Sequence, residues 1–177
     1  MALRGPPAAD LKAPSASLTH LKRRRPQFQS WGLALIRRIL IAEDHDVLRR
    51  SLRAILESRP KWRVVAEAVN GHEAVERAEL LKPDVAILDV AMPQMDGLAA
   101  ARRIREKVRE VQLLITSHHD SPEIIRQAFN AGVDGFIAKV DIASELIPAI
   151  QTVCAGRPFL SRSVRHSAPP NLGLSFE

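Results

Sequence analysis

Pro83-Asp84-Val85-Ala86-Ile87-Leu88-Asp89-Val90-Ala91-Met92-Pro93-Gln94-Met95-Asp96-Gly97 is the stretch whose reading decides the fold. Val85–Leu88 is a continuous apolar run with a β-branched bias, bounded by Pro83 in front and a Pro/Gly loop behind. Such a run predicts a strand covered on both faces, as in parallel sheets. Asp89 ends that strand. In open α/β sheets the ligand crevice lies beyond the carboxyl ends of the strands, so Asp89 is expected to face it. Taken alone, Asp89 could equally be a helix cap or a turn residue. Asp96 fits the cap role better, because it stands with Gly97 just ahead of the next helical pattern.

Working outward, Ile39–Ala42 predicts a first strand that runs into Glu43-Asp44-His45-Asp46. Leu48, Leu52, Ile55 and Leu56 then recur at helical spacing, with Arg49, Arg50 and Arg53 on the other face and Asp46 as the expected cap. Trp62–Val69 alternates in part and predicts a strand near the sheet edge. Asn70-Gly71 marks a turn, and Glu73–Leu81 a short helix. Beyond Asp89 come a helix over Leu98–Val108 and a strand over Val111–Ile115 that ends at Thr116-Ser117. A helix opening at Pro122 and closing at Ala131-Gly132 follows. Gly135–Ala138 is a fifth short strand ending at Lys139, and Ile142–Val153 a last helix with Pro148 expected to kink it. Strands alternating with helices through short loops predict a doubly wound parallel five-stranded sheet.

Charge is unevenly spread. Residues 1–38 hold eight of the 26 basic side chains and one of the 20 acidic ones, which leaves +7 there and −1 over the remainder. The basic character therefore belongs to an N-terminal extension, and the overall charge of +6 does not mark the body as a nucleic-acid binder. Residues 1–37, rich in Pro, Ala, Ser and Arg, are expected to be a disordered basic extension; 157–177 read as a C-terminal tail or truncated linker. One cysteine, Cys154, excludes an internal disulfide framework. No apolar run approaches the ~20 residues that cross a bilayer, so a cytoplasmic protein without a membrane span is expected.

If the sheet is parallel, the strand ends fall along one edge and gather Glu43, Asp44, Asp89, Thr116, Ser117 and Lys139. Three carboxylates repel one another, and a hard divalent cation such as Mg²⁺ relieves that repulsion. With one ammonium and one hydroxyl beside it, this set suits phosphoryl transfer to an aspartate. No glycine-flanked elbow surrounds Ser117, and no Walker loop or GxGxxG occurs, so a serine hydrolase or nucleotide site is poorly supported.

Ile41-Ala-Glu-Asp-His-Asp46, Ile87-Leu-Asp-Val-Ala-Met-Pro-Gln-Met-Asp-Gly97, Ile115-Thr-Ser117 and Gly135-Phe-Ile-Ala-Lys139 together resemble a response-regulator receiver domain, covering about Arg38 to Leu160. Ile39–Glu57 and Phe136–Ser161 resemble the NarL/FixJ (LuxR-type) subfamily in particular. The resemblance implies a flavodoxin-like (βα)5 single domain over residues 38–156. It implies that Asp89 accepts phosphate from a sensor histidine kinase. Mg²⁺ would be held by Asp44, Asp89 and the Ala91 carbonyl, with Glu43 acting largely through water. Lys139 would pair with the phosphoryl group, Thr116 would move toward it, and Phe136 would turn inward. That would reshape the face made by helix four, strand five and helix five, the expected site of any homodimer. Such a chain is a phospho-accepting switch and not a turnover enzyme. An aspartyl-phosphate phosphatase would need a second Asp as general acid, and Ala91 does not supply one.

The subfamily normally continues into a DNA-binding helix-turn-helix, and Ser161–Glu177 shows no such pattern. That weighs against direct DNA binding. The alternative is a transcription regulator whose DNA-binding output domain is missing from this chain. His118, two residues past Thr116, is expected to flank the site.

Overall fold

A computed structural model describes residues 36–167. The expected N-terminal extension up to residue 35, and residues 168–177, lie outside the described residues. The elements run β1 (Arg37–Ala42), α1 (Asp46–Glu57), β2 (Trp62–Ala68), α2 (Gly71–Leu81), β3 (Val85–Asp89), α3 (Gly97–Lys107), β4 (Gln112–Ser117), α4 (Pro122–Asn130), β5 (Gly135–Ala138), α5 (Ile142–Cys154) and β6 (Phe159–Leu160). A 3₁₀ turn over Lys139–Asp141 links β5 to α5, and another over Arg162–Ser167 follows β6. Every pairing is parallel, and the strand order is β2-β1-β3-β4-β5-β6.

The alternation of side chains along each strand divides the core into two layers. Leu40, Ala86, Leu88, Leu113, Ile115 and Phe136 pack on one face with α2, α3 and α4. Ile39, Ile41, Val85, Ile87, Leu114 and Ile137 pack on the other with α1 and α5. Both faces of β3 are covered, which is why Val85–Leu88 are uniformly apolar, and all five of its residues, Asp89 included, are buried. β2 sits at one edge of the sheet, as its mixed pattern predicts.

Helix starts follow side-chain chemistry. The Asp96 carboxylate accepts from the Ala99 N–H at 2.7 Å, and the Asn70 side chain accepts from the Glu73 N–H at 2.9 Å. The expected cap Asp46 is instead the first helical residue, with His45 as the cap and no side-chain cap bond. Asp46 turns to Arg49 and Arg50 within its own helix, and these guanidiniums compete with the backbone for its oxygens. Pro148 lies within α5, which continues to Cys154. Both Pro148 and Ser144, whose carbonyl loses its helical donor, are exposed, so water can replace the missing bond.

Two boundaries differ from the sequence reading. Arg37 belongs to β1 and not to the extension, and that strand starts two residues ahead of the expected Ile39. The segment after Gly156 is not an unstructured tail: a sixth strand pairs with β5, Gly135 to Phe159 and Phe136 to Leu160. The Ser161 side-chain hydroxyl is wholly buried and accepts from the Ala138 N–H at 2.9 Å. Val164 is buried in the same layer as Phe136. A two-residue strand carries too little alternation to be seen in a sequence, and its bonds depend on a β5 edge that exists only once the sheet has formed.

Asp141 fastens this segment from the other side. Its Oδ2 accepts from the Ser163 N–H at 3.1 Å and from the Ser163 hydroxyl at 2.6 Å. Burial pushes its carboxyl up, but hydrogen bonds from Ser163 and Ser161 outweigh that and hold it below the ordinary value of 3.8. A depressed carboxyl stabilises the fold above its unfolded value, and that contribution is lost as pH falls through the folded one. Asp141→Ala is therefore expected to lower the unfolding free energy at pH 7 by about 2 kcal/mol. In urea titrations the deficit should shrink as the pH drops below 3.8.

Gly97 shows how tightly the β3 end is enclosed. A Cβ there would sit 2.1 Å from the Asp89 carbonyl oxygen, which is backbone and has no room to give. Gly97→Ala is expected to cost about 3 kcal/mol by chemical denaturation, through displacement of the Asp89 main chain.

Candidate functional site

Strand register assembles the site. Ala42 is level with Leu88, Asp89 with Thr116, and Ser117 with Ala138. The residues that follow β1 and β5, Glu43 and Lys139, therefore meet Asp89 and Thr116 at one sheet edge, although Glu43 and Lys139 are 96 positions apart.

Lys139 is central. Its Nζ donates to Glu43 Oε2 at 2.9 Å and lies 2.8 Å from Asp89 Oδ2. The three side chains are almost entirely buried, at 5%, 0% and 2% exposure. Burial works to discharge the ammonium, but its bonds to Asp89 and Glu43 prevail and hold its pKa above the usual 10.5. Burial also pushes the Glu43 carboxyl up, and the Asp89 charge adds to that, against the lowering effects of Lys139 and the His45 N–H. Thr116 is buried beside Asp89 on the neighbouring strand.

Two atoms stand out. Among the buried side-chain oxygens and nitrogens of the described residues, Asp89 Oδ1 and Thr116 Oγ1 have no hydrogen-bond partner. Leaving such groups unpaired costs about 1–3 kcal/mol each. Asp89 thus has one oxygen committed to Lys139 and a second one available.

The acidic rim is formed by Glu43, Asp44 and His45, each of which places one ligand atom within 4.8 Å of the others. Asp44 is 30% exposed, and its Oδ1 lies 3.2 Å from His45 Nδ1. Glu43 is already engaged by Lys139 and by the His45 N–H at 3.2 Å, so Asp44 is the more available carboxylate. An oxygen-rich rim beside an unsatisfied Asp89 oxygen fits a hard cation. The histidine belongs to that rim in space, and its place next to Asp44 in the chain is the signal that marks it.

Ala91 is exposed on the loop two residues past Asp89; that loop is closed by Val90, whose N–H bonds to the Thr116 carbonyl and whose carbonyl accepts from Gly97. His118 is exposed after β4. Phe136 is wholly buried and level with Leu160. It shares one apolar cluster with Leu160 and Val164. Sequence reading missed Ser161 and Ser163, which bracket the Lys139 loop through Ala138 and Asp141.

A family model described as the response regulator receiver domain matches residues 39–151. The chain is 32% identical over 129 residues to the transcriptional regulatory protein DegU of Brevibacillus brevis, covering 73% of this chain and 55% of DegU. It is 33% identical over 126 residues to the nitrate/nitrite response regulator NarL of Escherichia coli K12, covering 71% and 58%. The chain thus spans little more than half the length of these relatives. A crystal structure of a LuxR-family two-component response regulator from Aurantimonas superimposes with a TM-score of 0.71 at 32% identity, over 73% of this chain and 93% of that one.

Removing the ammonium would leave two buried carboxylates face to face. Lys139→Met is expected to destabilise the fold by about 3 kcal/mol at pH 7. Because the Lys139 pKa is raised, its contribution is complete below 10.5 and is lost as pH rises through the folded value. Wild-type stability, followed by urea unfolding, should therefore fall in that alkaline window, and the variant should lack this transition.

Proposed function

The chain belongs to the response-regulator receiver family, and from that membership we propose that it is a phospho-accepting signalling switch. In this reading Asp89 Oδ1 attacks the phosphorus of a phosphohistidine on a sensor histidine kinase. An O–P bond forms, the N–P bond breaks, and the imidazole leaves with the electron pair. The supporting observation is the division of labour on Asp89: Oδ2 is tied to Lys139, and the buried Oδ1 is unpartnered.

Asp44 and Asp89 would hold Mg²⁺, with the Ala91 carbonyl as a further ligand and Glu43 acting through water. When bound, the ion neutralises charge on the transferring phosphoryl oxygens. Lys139 holds Asp89 in place beforehand and offers its ammonium to the same oxygens. Thr116, whose hydroxyl is unsatisfied in the resting arrangement, donates to one of them.

The shift of Thr116 would pass to β5 and its neighbours. Here that face includes the β6 segment, since β5 is not an open edge. Partner binding, homodimers included, is assigned to the face made by α4, β5 and α5. The Ala91 side chain is a methyl and supplies no acid or base to a hydrolytic water, in keeping with a switch instead of a turnover enzyme. A cytoplasmic location belongs to the same proposal; separately, no described helix is long and apolar enough to cross a membrane.

A second reading is favoured by the names and lengths of the relatives. DegU is a transcriptional regulatory protein of which this chain covers 55%, so the receiver could serve a DNA-binding part outside the matched segment. A gel shift at physiological salt with this chain alone should show no retardation; retardation would favour direct DNA binding.

Labelling tests the main reading. Acetyl phosphate with Mg²⁺ should add one phosphoryl group to the wild-type chain by intact-mass spectrometry, and chelation of the metal should prevent it. Asp89→Asn should remain unlabelled. Labelling of that variant at the wild-type level would show that Asp89 is not the acceptor.

A further inference from the structure

We infer that Arg49 is a positioning residue for Asp44, fixing the peptide plane that aims this carboxylate at the cation site; the inference rests on the Mg²⁺-dependent reading above.

The sequence pattern sets Arg49 on the outer face of α1, alongside Arg50 and Arg53. In the structure they part company. The Arg50 side chain is 75% exposed, whereas that of Arg49 is 14% exposed and reaches back under the β1–α1 loop. Its Nη1 donates to the main-chain carbonyl of Glu43 at 2.9 Å. Its Nε donates to Glu67 Oε2 on β2 at 3.1 Å, and its Nη2 donates to Asp46 Oδ1. One planar guanidinium thus joins the end of β1, the edge strand and the start of α1, a task that suits the rigid fork of arginine.

The Glu43 carbonyl belongs to the same peptide unit as the Asp44 N–H. On the other side, the Glu43 N–H is held by the Ala68 carbonyl at 3.0 Å. With the carbonyl pinned by Arg49, rotation of this peptide is restrained, and with it the direction in which the Asp44 Cα–Cβ bond leaves the backbone. Glu43 has its own anchors in Lys139 and the His45 N–H, but among the described residues no side-chain bond other than that to the exposed His45 is seen for Asp44. The orientation of Asp44 therefore depends on backbone fixed from outside the pocket.

Charge does not explain the arrangement. A guanidinium near a cation site repels the cation, so deletion of a purely electrostatic Arg49 would tighten Mg²⁺ binding. Here Glu67 and Asp46 neutralise it, which leaves the geometric effect. Supporting residues behind metal ligands typically govern affinity by about 10–100-fold.

The test is a calorimetric titration of the full chain with Mg²⁺ alone. Wild type should bind, with Arg49→Ala about tenfold weaker, and Arg49→Lys, which keeps the charge and loses the fork, also weaker. Acetyl-phosphate labelling of Arg49→Ala should return to within about twofold of the wild-type rate once Mg²⁺ is saturating, since binding and not chemistry has been changed. Glu67→Ala, which removes the β2 anchor, should weaken Mg²⁺ in the same direction and carries the test if Arg49→Ala does not fold. A Kd unchanged or tightened in the folded variants, beside a wild type that binds, would overturn this inference alone. A wild type that binds no Mg²⁺ would overturn the underlying reading as well.

Discussion

A single buried ammonium holds the centre of this molecule together. Lys139 Nζ sits 2.9 Å from Glu43 and 2.8 Å from Asp89, with almost no water in reach of any of the three. Two carboxylates enclosed in this way would repel each other strongly, and desolvation would protonate them or open the fold. The lysine makes the arrangement tenable while leaving the site net negative, with Asp44 at the rim. Much of the surrounding structure serves to keep these groups in place.

Parallel strand register is the means. Glu43 and Lys139 follow, and Asp89 ends, buried apolar stretches of β1 (Ile39–Ala42), β5 (Gly135–Ala138) and β3 (Val85–Leu88), and those strands are level at their carboxyl ends. The hydrophobic layers on both faces of the sheet fix that register, because a slip by one residue would carry side chains to the wrong face. Packing of Leu88 and Ile115 thereby sets the spacing between Asp89 and Thr116. Gly97, whose Cα comes close to the Asp89 carbonyl, lets α3 begin directly against this edge.

The C-terminal segment adds a second enclosure. β6 continues the sheet beyond β5, and Ser161 and Ser163 hold the chain on either side of Lys139. The Lys139 turn is thus tied on both sides to Ser161 and Ser163 and leads directly into α5. Phe136 is buried in the same apolar cluster as Leu160 and Val164.

Much of this was legible in the linear order of residues. Uniform apolar runs such as Val85–Leu88 identify strands covered on both faces, and the Asp96 cap and Pro122 start mark their helices, because these signals are local. The gathering of Glu43, Asp89, Thr116 and Lys139 follows from topology alone, since parallel strands share an edge. Other features depended on tertiary context. The two residues of β6 have no pattern of their own and pair only with an edge made elsewhere. Arg49 has the periodicity of a solvent-facing helix residue, yet it turns inward because acceptors on two other elements lie within its reach. Composition and periodicity decide which segments form strands and helices, through local backbone and burial preferences; which polar atoms meet is decided only when distant segments pack, since hydrogen bonds require ångström-scale geometry that no spacing along the chain records.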